Sequence, residues 1–164
     1  MLRIIHRVST GFVAIVSLTF SLSGLAGTDP SIGIAMLVRG EVTVEHIDGV
    51  SDALEKGDKI FLGDTINTMD KSYIIIGFDD GAKATVRPNS VLNIDKYSAE
   101  ASNLKLLKGG LRAITGTFGK NNPESYRVQT PVATLGIRGT EFDVRVCEET
   151  DCADEARRIS ETSE

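Results

Sequence analysis

The stretch YIIIGFDDGAKATVR, residues 73–87, decides the fold class. An apolar, β-branched run from Tyr73 to Phe78 is followed by Asp79-Asp80-Gly81, and then by a stretch in which small or apolar residues alternate with polar ones. Two such runs on either side of an Asp-Gly turn are typical of a β-hairpin. The sequence therefore predicts two antiparallel strands here, and the apolar run predicts that the first is covered on both faces.

Residues 27–146 continue this pattern on both sides of the hairpin. Two similar units, Gly57-Asp58-Lys59-Ile60 and Gly63-Asp64-Thr65-Ile66, each place Gly-Asp in a turn and an isoleucine two residues later. A Gly109-Gly110 turn predicts a second hairpin, and residues 119–124 are expected to form an exposed loop. Further strands are predicted at 34–38, 42–45, 91–97, 104–107, 111–118, 126–130 and 142–146.

No window of the same region repeats apolar residues at the three- and four-residue spacing of a helix. Many short strands at close spacing indicate an all-β domain. We expect short antiparallel strands arranged in a two-sheet sandwich or in a short solenoid-like stack, with one hydrophobic core.

The first 26 residues have the features of a secretory signal peptide. Arg3 and Arg7 precede a mostly apolar run, residues 8–26, which ends in Gly24-Leu25-Ala26. An uncleaved membrane anchor is the alternative, because the run nearly reaches the length of about 18 residues that indicates a span. Either interpretation places the domain outside the cytoplasm, and we expect a periplasmic or secreted protein.

The charge of the chain argues against a nucleic-acid partner. The sequence has 18 Lys and Arg against 23 Asp and Glu, and removal of residues 1–26 leaves a formal charge of −7. Such a surface repels phosphate backbones, and no basic cluster is visible in the sequence.

The last residues, 147–164, are predicted to form a polar tail. Cys147 and Cys152 lie in an acidic segment of this tail, and an exported protein meets an oxidising compartment. A disulfide that closes this small loop is the favoured interpretation, because two cysteines without a nearby histidine make only half of a zinc site.

The segment Gly136-Ile137-Arg138-Gly139-Thr140 is the candidate binding site. Two glycines three residues apart permit backbone conformations or close approaches that a Cβ would block. Arg138 between them has a fork of donors for a carboxylate, either within the chain or on a partner. The structural alternative is a β-bulge or corner in which Arg138 bonds to nearby carbonyl groups.

Catalytic and metal-binding interpretations have little support in the sequence. Calcium requires six or more oxygens, whereas Asp58, Asp64, Asp79 and Asp80 have the spacing of turn residues next to glycine. His46 lies in an alternating strand and has no nearby nucleophile motif, so we expect a surface histidine. We therefore predict a protein that is not an enzyme and that has no metal and no cofactor.

Several of these segments, in this order, resemble the FecR domain family. The resemblance covers most of residues 34–146 and is most specific at its end. The segments that carry it are 34–40, 54–60, 63–68, 79–82, 87–94, 106–111, 126–133 and 136–142.

The resemblance implies an extracytoplasmic β domain without a known catalytic role. In iron-uptake regulators such a domain receives a signal from an outer-membrane receptor, and a cytoplasmic segment controls a sigma factor. Only seven residues precede the apolar run here, so we expect no such segment. We expect instead a binding or signalling module that contacts an envelope or surface protein through a strand edge. The alternatives are a self-associating structural component and, with less support, an enzyme that acts on surface polymers.

Overall fold

A computed structural model of the chain describes residues 31–147, and these residues form one mostly antiparallel sheet of short strands. The strands are β1 (Gly33–Arg39), β2 (Val42–Glu45), β3 (Ser51–Ala53), β4 (Lys59–Ile60), β5 (Thr65–Thr68), β6 (Tyr73–Phe78), β7 (Lys83–Val86), β8 (Ser90–Tyr97), β9 (Ser102–Ile114), β10 (Tyr126–Gln129), β11 (Thr134–Gly136) and β12 (Glu141–Val146). A short helix, α1 (Thr117–Asn121), and a 3-10 turn, Pro123–Ser125, lie between β9 and β10. The all-β prediction is confirmed.

The long strand β9 joins the two halves of the sheet. Its first half pairs with β8 and, in parallel, with β10, while its second half pairs with β7 and β12. The strand order is β3-β2-β5-β8-β9-β7-β6-β1-β4, and the sheet curls into a half-barrel. The predicted two-sheet sandwich is not confirmed, because β9 belongs to both halves. The predicted hairpin at Gly109-Gly110 is wrong, since β9 runs through both glycines.

Four of the corners at which the chain crosses between the halves each contain a residue with positive φ: Gly40 (72°), Lys71 (56°), Asn89 (54°) and Gly109 (77°). The corners lie side by side, because Met69 N donates to the Glu41 carbonyl at 3.1 Å and Asn89 N donates to the Met69 carbonyl at 3.2 Å.

Buried hydroxyl groups satisfy the remaining backbone groups of the corners. Ser72 Oγ accepts from Glu41 N at 2.8 Å, and Ser90 Oγ accepts from Gly110 N at 2.8 Å. Because buried backbone groups need such partners, these small polar side chains are part of the core structure.

The hairpin predicted at residues 73–87 is present as β6 and β7, with Ile76 opposite Ala84. Its inner face, with Ile74, Ile76 and Phe78, is buried in the core, whereas Tyr73 and Ile75 on the other face are only half-buried. The prediction that β6 is covered on both faces is therefore met only in part.

The two Gly-Asp units form the same turn twice. Asp58 Oδ2 accepts from Glu55 N at 2.7 Å, and Asp64 Oδ2 accepts from Phe61 N at 2.8 Å. The isoleucine two residues after each Asp is fully buried, so each unit places one side chain in the core.

Residues 117–125 differ from the loop that was predicted there. Asp80, in the β6–β7 turn, accepts from Phe118 N at 3.1 Å and from the Tyr97 hydroxyl at 2.7 Å, and thereby holds α1 against the open end of the half-barrel. Strand β9 ends at Ile114, four residues before the end of the predicted strand. The contact with Asp80 spans 38 residues of sequence, so no local pattern reports it.

The predicted signal peptide, residues 1–26, and Cys152 with the rest of the tail lie outside the described residues. Cys147 is the last described residue, and its pairing with Cys152 stays a prediction. Within residues 31–147 no helix is long and apolar enough to cross a membrane.

Candidate functional site

Residues 131–141 form an exposed segment that projects from the sheet, called here the 131–141 segment. Every residue of it except Ile137 is exposed, and Val132 is 90% exposed. Strand β11 lies within it and pairs only with β10 among the described residues, so that its other edge is open. Leu135, in the centre of β11, is 37% exposed.

Backbone hydrogen bonds on both sides of β11 hold this segment to β10. Thr130 N donates to the Ala133 carbonyl at 2.8 Å in the β10–β11 turn, and Ile137 N donates to the Tyr126 carbonyl at 3.0 Å. Tyr126 and Val128 on β10 are buried, which anchors the hairpin. The segment is thus exposed but has a defined backbone.

The ladder between β10 and β11 determines which backbone groups face the open edge. Along an antiparallel ladder, hydrogen-bonded residue pairs alternate with pairs that are not hydrogen-bonded. The pairs Thr130–Ala133 and Tyr126–Ile137 are hydrogen-bonded. Leu135, midway between them and opposite Val128, therefore turns its N–H and C=O towards β10. The N–H and C=O groups of Thr134 and Gly136 face outwards.

The residues singled out in the sequence lie in or beside this segment. Arg138 pairs with Glu124 of the 3-10 turn, and both side chains are about three-quarters exposed. Its carboxylate partner is therefore within the chain, and the bonds to carbonyl groups that the alternative required are not observed. A Cβ at Gly136 or Gly139 would meet no heavy atom within 4 Å, so close packing does not explain either glycine. Thr140 contributes its carbonyl, which accepts from Thr115 N at 2.8 Å.

A polar cleft of about 540 Å³ lies next to the segment. Its floor is the parallel β9–β10 pair, and its walls are the β8–β9 turn and the 3-10 turn. Asn103, Arg127 and Gln129 are among the side chains that line it. Sequence reasoning missed this cleft, because it depends on the parallel pairing of β10 with β9.

Residues 64–154 match the family model described as FecR protein. The chain belongs to the FecR family. This family is a non-enzymatic signalling and regulatory family, and its domains are associated with the cell envelope. The match covers β5 to β12, which includes the 131–141 segment of this FecR domain and the polar cleft.

One solved structure, titled "Cell surface anchoring domain", is 33% identical to the chain. The match covers 39% of this chain and 84% of that one, with a TM-score of 0.38. No curated protein matches the chain.

His46 in this FecR domain has a partner that the sequence did not indicate. Its Nδ1 lies 2.7 Å from Oδ1 of Asp64, which is 1% exposed, and its Nε2 lies 3.9 Å from a carboxylate oxygen of Asp52. The hydrogen bond to Asp64 raises the pKa of His46 above its usual value. The two residues are 18 positions apart, and only the folding of β2 onto β5 brings them together.

The hollow around His46 is lined by apolar and acidic side chains. It is lined by His46, Ile47, Asp48, Phe61, Leu62 and Asp64, which include no hydroxyl or thiol nucleophile. The His46–Asp64 pair can hold a proton, because the imidazole ring lies within hydrogen-bond distance of the carboxylate. In the described part of the chain, no group of three or more His, Cys, Asp and Glu side chains is placed to hold a metal ion.

Charged groups on β8 and β9, next to the cleft residue Asn103, are fixed by an ion pair and hydrogen bonds. Asp95 accepts from Lys105 Nζ at 2.7 Å and from Asn103 Nδ2 at 3.0 Å. These two contacts hold the pKa of Asp95 below its usual value. The side chains at this part of the face therefore have defined positions before any ligand binds.

Proposed function

We propose that the protein is an exported, non-catalytic FecR-type module of the cell envelope that binds a protein partner through the open edge of β11. It works in the periplasm or at the cell surface, and the partner adds a strand to the sheet. The observation that carries the proposal is the exposed 131–141 segment, in which β11 offers outward backbone groups at Thr134 and Gly136.

Strand addition takes its affinity from main-chain hydrogen bonds and its specificity from neighbouring side chains. Both components are available here. Thr134 and Gly136 supply the donors and acceptors, and Gly136 has no side chain that would obstruct an incoming strand. Val132 and Leu135 supply apolar contact area close to the edge.

The composition of the competing edges favours β11. Charged side chains on an edge strand oppose strand addition. Asp52 lies in the middle of β3, and β12 contains Glu141, Asp143 and Arg145, whereas Thr134, Leu135 and Gly136 are uncharged. Strand β4 has only two residues and offers little length for pairing.

Site-specific photocrosslinking in the native envelope tests the proposal. A photoreactive residue at Leu135 should capture a specific protein, while the same residue at Val50 should capture none. Val50 is the matched control, because it is 51% exposed and lies next to the competing edge strand β3. Capture from Val50 and not from Leu135 would place the partner elsewhere and reject the proposal.

A proline pair tests the role of the backbone. Proline removes an N–H, so Thr134→Pro should abolish capture while the β10–β11 ladder is kept. Ala53→Pro is the matched control, since the ladder of β2 and β3 turns the Ala53 N–H outwards in the same way. If Thr134→Pro captures as much partner as Ala53→Pro, the partner does not add a strand at β11.

Self-association through the same edge is the second candidate function. Two copies of one strand can pair antiparallel about a twofold axis, so β11 can serve as its own partner. Sedimentation would favour self-association over a separate partner if the mass of the protein doubles as its concentration rises, and if the Thr134→Pro variant stays monomeric over the same range.

A further inference from the structure

The outer face of β9, β10 and β11 carries two rows of polar side chains. Asn103 on β9 lies beside Arg127 on β10, which lies opposite Gly136 on β11. The next row contains Lys105, Gln129 and Thr134. Adjacent strands are about 4.8 Å apart, so each row spans roughly 10 Å.

The polar cleft contains two cations, Lys96 and Arg127. Neither Lys96 nor Arg127, which both line the cleft, forms an ion pair with another described residue. Of the two acids in the lining, Glu124 is engaged by Arg138, and Glu100 is exposed to solvent. Arg127 has no ion pair within the described chain, and Lys96 acts on Asp95 only at longer range than an ion pair. Two such cations in one concavity favour an anionic ligand.

The remaining lining residues indicate a carbohydrate rather than a protein. The amides of Asn103, Asn122 and Gln129 and the hydroxyls of Ser125 and Thr134 both donate and accept, as sugar hydroxyls require. The backbone groups of the cleft floor are occupied by the β9–β10 and β10–β11 ladders, so a peptide strand cannot add there.

We propose that the polar cleft binds an acidic oligosaccharide, with uronic acid carboxylates at Arg127 and Lys96 and sugar hydroxyls on the amide side chains. The proposed ligand lies on the outer face of the sheet, whereas a protein partner would pair with the β11 edge, and Thr134 contributes its hydroxyl to the first and its backbone to the second. Arg127 is the main anion-binding residue, because its planar fork can hold a carboxylate through two hydrogen bonds.

Two structural details support a preformed site. Asp95 accepts a hydrogen bond from the Asn103 amide at 3.0 Å, so this side chain of the lining loses little freedom on binding. Gly136 lies opposite Arg127, and a Cβ there would meet nothing within 4 Å, which leaves the row open for a ligand above the strand.

Calorimetric titration of the full chain with an oligogalacturonate tests the proposal. We expect saturable binding that weakens with salt, and we expect Arg127→Gln to weaken it about tenfold or more, since it removes a charged hydrogen-bonding group. Arg39→Gln is the matched control, because Arg39 is an exposed arginine at the end of β1 in the other half of the sheet. A neutral cello-oligosaccharide should bind at least tenfold more weakly than the oligogalacturonate.

A second variant tests the position of the ligand. Gly136→Val should leave the fold intact, because a β-branched residue suits an open strand position, and it should weaken binding by covering the row beside Arg127. Absence of binding overturns the proposal, as does equal weakening by Arg127→Gln and Arg39→Gln. Tighter binding of polyglutamate than of oligogalacturonate would show an acidic-peptide site and would also overturn it.

Discussion

Replacement of Gly109 by alanine tests the bend in β9, at the corner that keeps the sheet continuous. Gly109 has φ of 77°, a left-handed conformation that costs an alanine about 1–2 kcal/mol. A Cβ at this position would lie 2.1 Å from Ser90 Oγ and 2.7 Å from the Asn89 carbonyl oxygen. The second of these atoms belongs to the backbone of the neighbouring corner, so a rotamer change cannot relieve the contact.

To relieve the contact between the new Cβ and the Asn89 carbonyl oxygen, the corner at Gly109 and the corner at Asn89 must move apart. The buried hydrogen bond from Gly110 N to Ser90 Oγ, at 2.8 Å, would then be weakened, and an unsatisfied buried group costs about 1–3 kcal/mol. Together with the conformational cost, we expect Gly109→Ala to lower the free energy of unfolding by about 3–5 kcal/mol. That is a large part of the stability of an ordinary domain.

Gly49→Ala is the matched control, because Gly49 has a similar φ of 83° and a Cβ there would meet nothing within 4 Å. It should lower the free energy of unfolding by about 1–2 kcal/mol, the conformational cost alone. Urea denaturation measures both variants, and the midpoint should fall without a change in m-value. Equal losses for the two variants would refute the packing of the corners described here.

Three further predictions concern single side chains. Tyr126→Phe should leave the free energy of unfolding unchanged or raise it by up to about 1 kcal/mol, because the buried Tyr126 hydroxyl has no hydrogen-bond partner in the described chain. Tyr97→Phe should lower it by about 1–3 kcal/mol, because the variant loses the 2.7 Å hydrogen bond to Asp80. Thermal denaturation of both variants measures the difference. The raised pKa of His46 adds stability that is fully present below about pH 6.5 and is lost as the pH rises through the folded-state pKa. The free energy of unfolding should therefore decline as the pH is raised through this range, and the His46→Gln variant should lack this decline. A double-mutant cycle with Arg138→Ala and Glu124→Ala should give a coupling of about 1 kcal/mol or less, because the pair is exposed, and a coupling above about 2 kcal/mol would contradict a solvent-screened contact.

Local signals in the sequence predicted the local elements of the fold. The β6–β7 hairpin and the two Gly-Asp turns depend on residues within a few positions of each other, and all are present. The Gly109-Gly110 signal was real but ambiguous, because a glycine with positive φ permits both a reversal and a corner. The choice between them depends on packing against Ser90, which is distant in sequence.

The site could be predicted only as a segment. The two glycines singled out the segment around Arg138 as a candidate, but the contact of Arg138 with Glu124 and the parallel pairing of β10 with β9 are tertiary. The same holds for His46, which the alternating pattern placed at the surface. Its bond to the buried Asp64 appears only when β2 and β5 pair.

Hydrogen–deuterium exchange of the partner-bound protein tests the proposed strand addition most directly. The amides of Thr134 and Gly136 face the open edge and should exchange rapidly in the free protein, then become protected in the complex with the partner captured at Leu135. The outward amides of Ser51 and Ala53 on β3 should be unaffected. Protection on β3 or β12 with no change at Thr134 and Gly136 would contradict binding at the β11 edge.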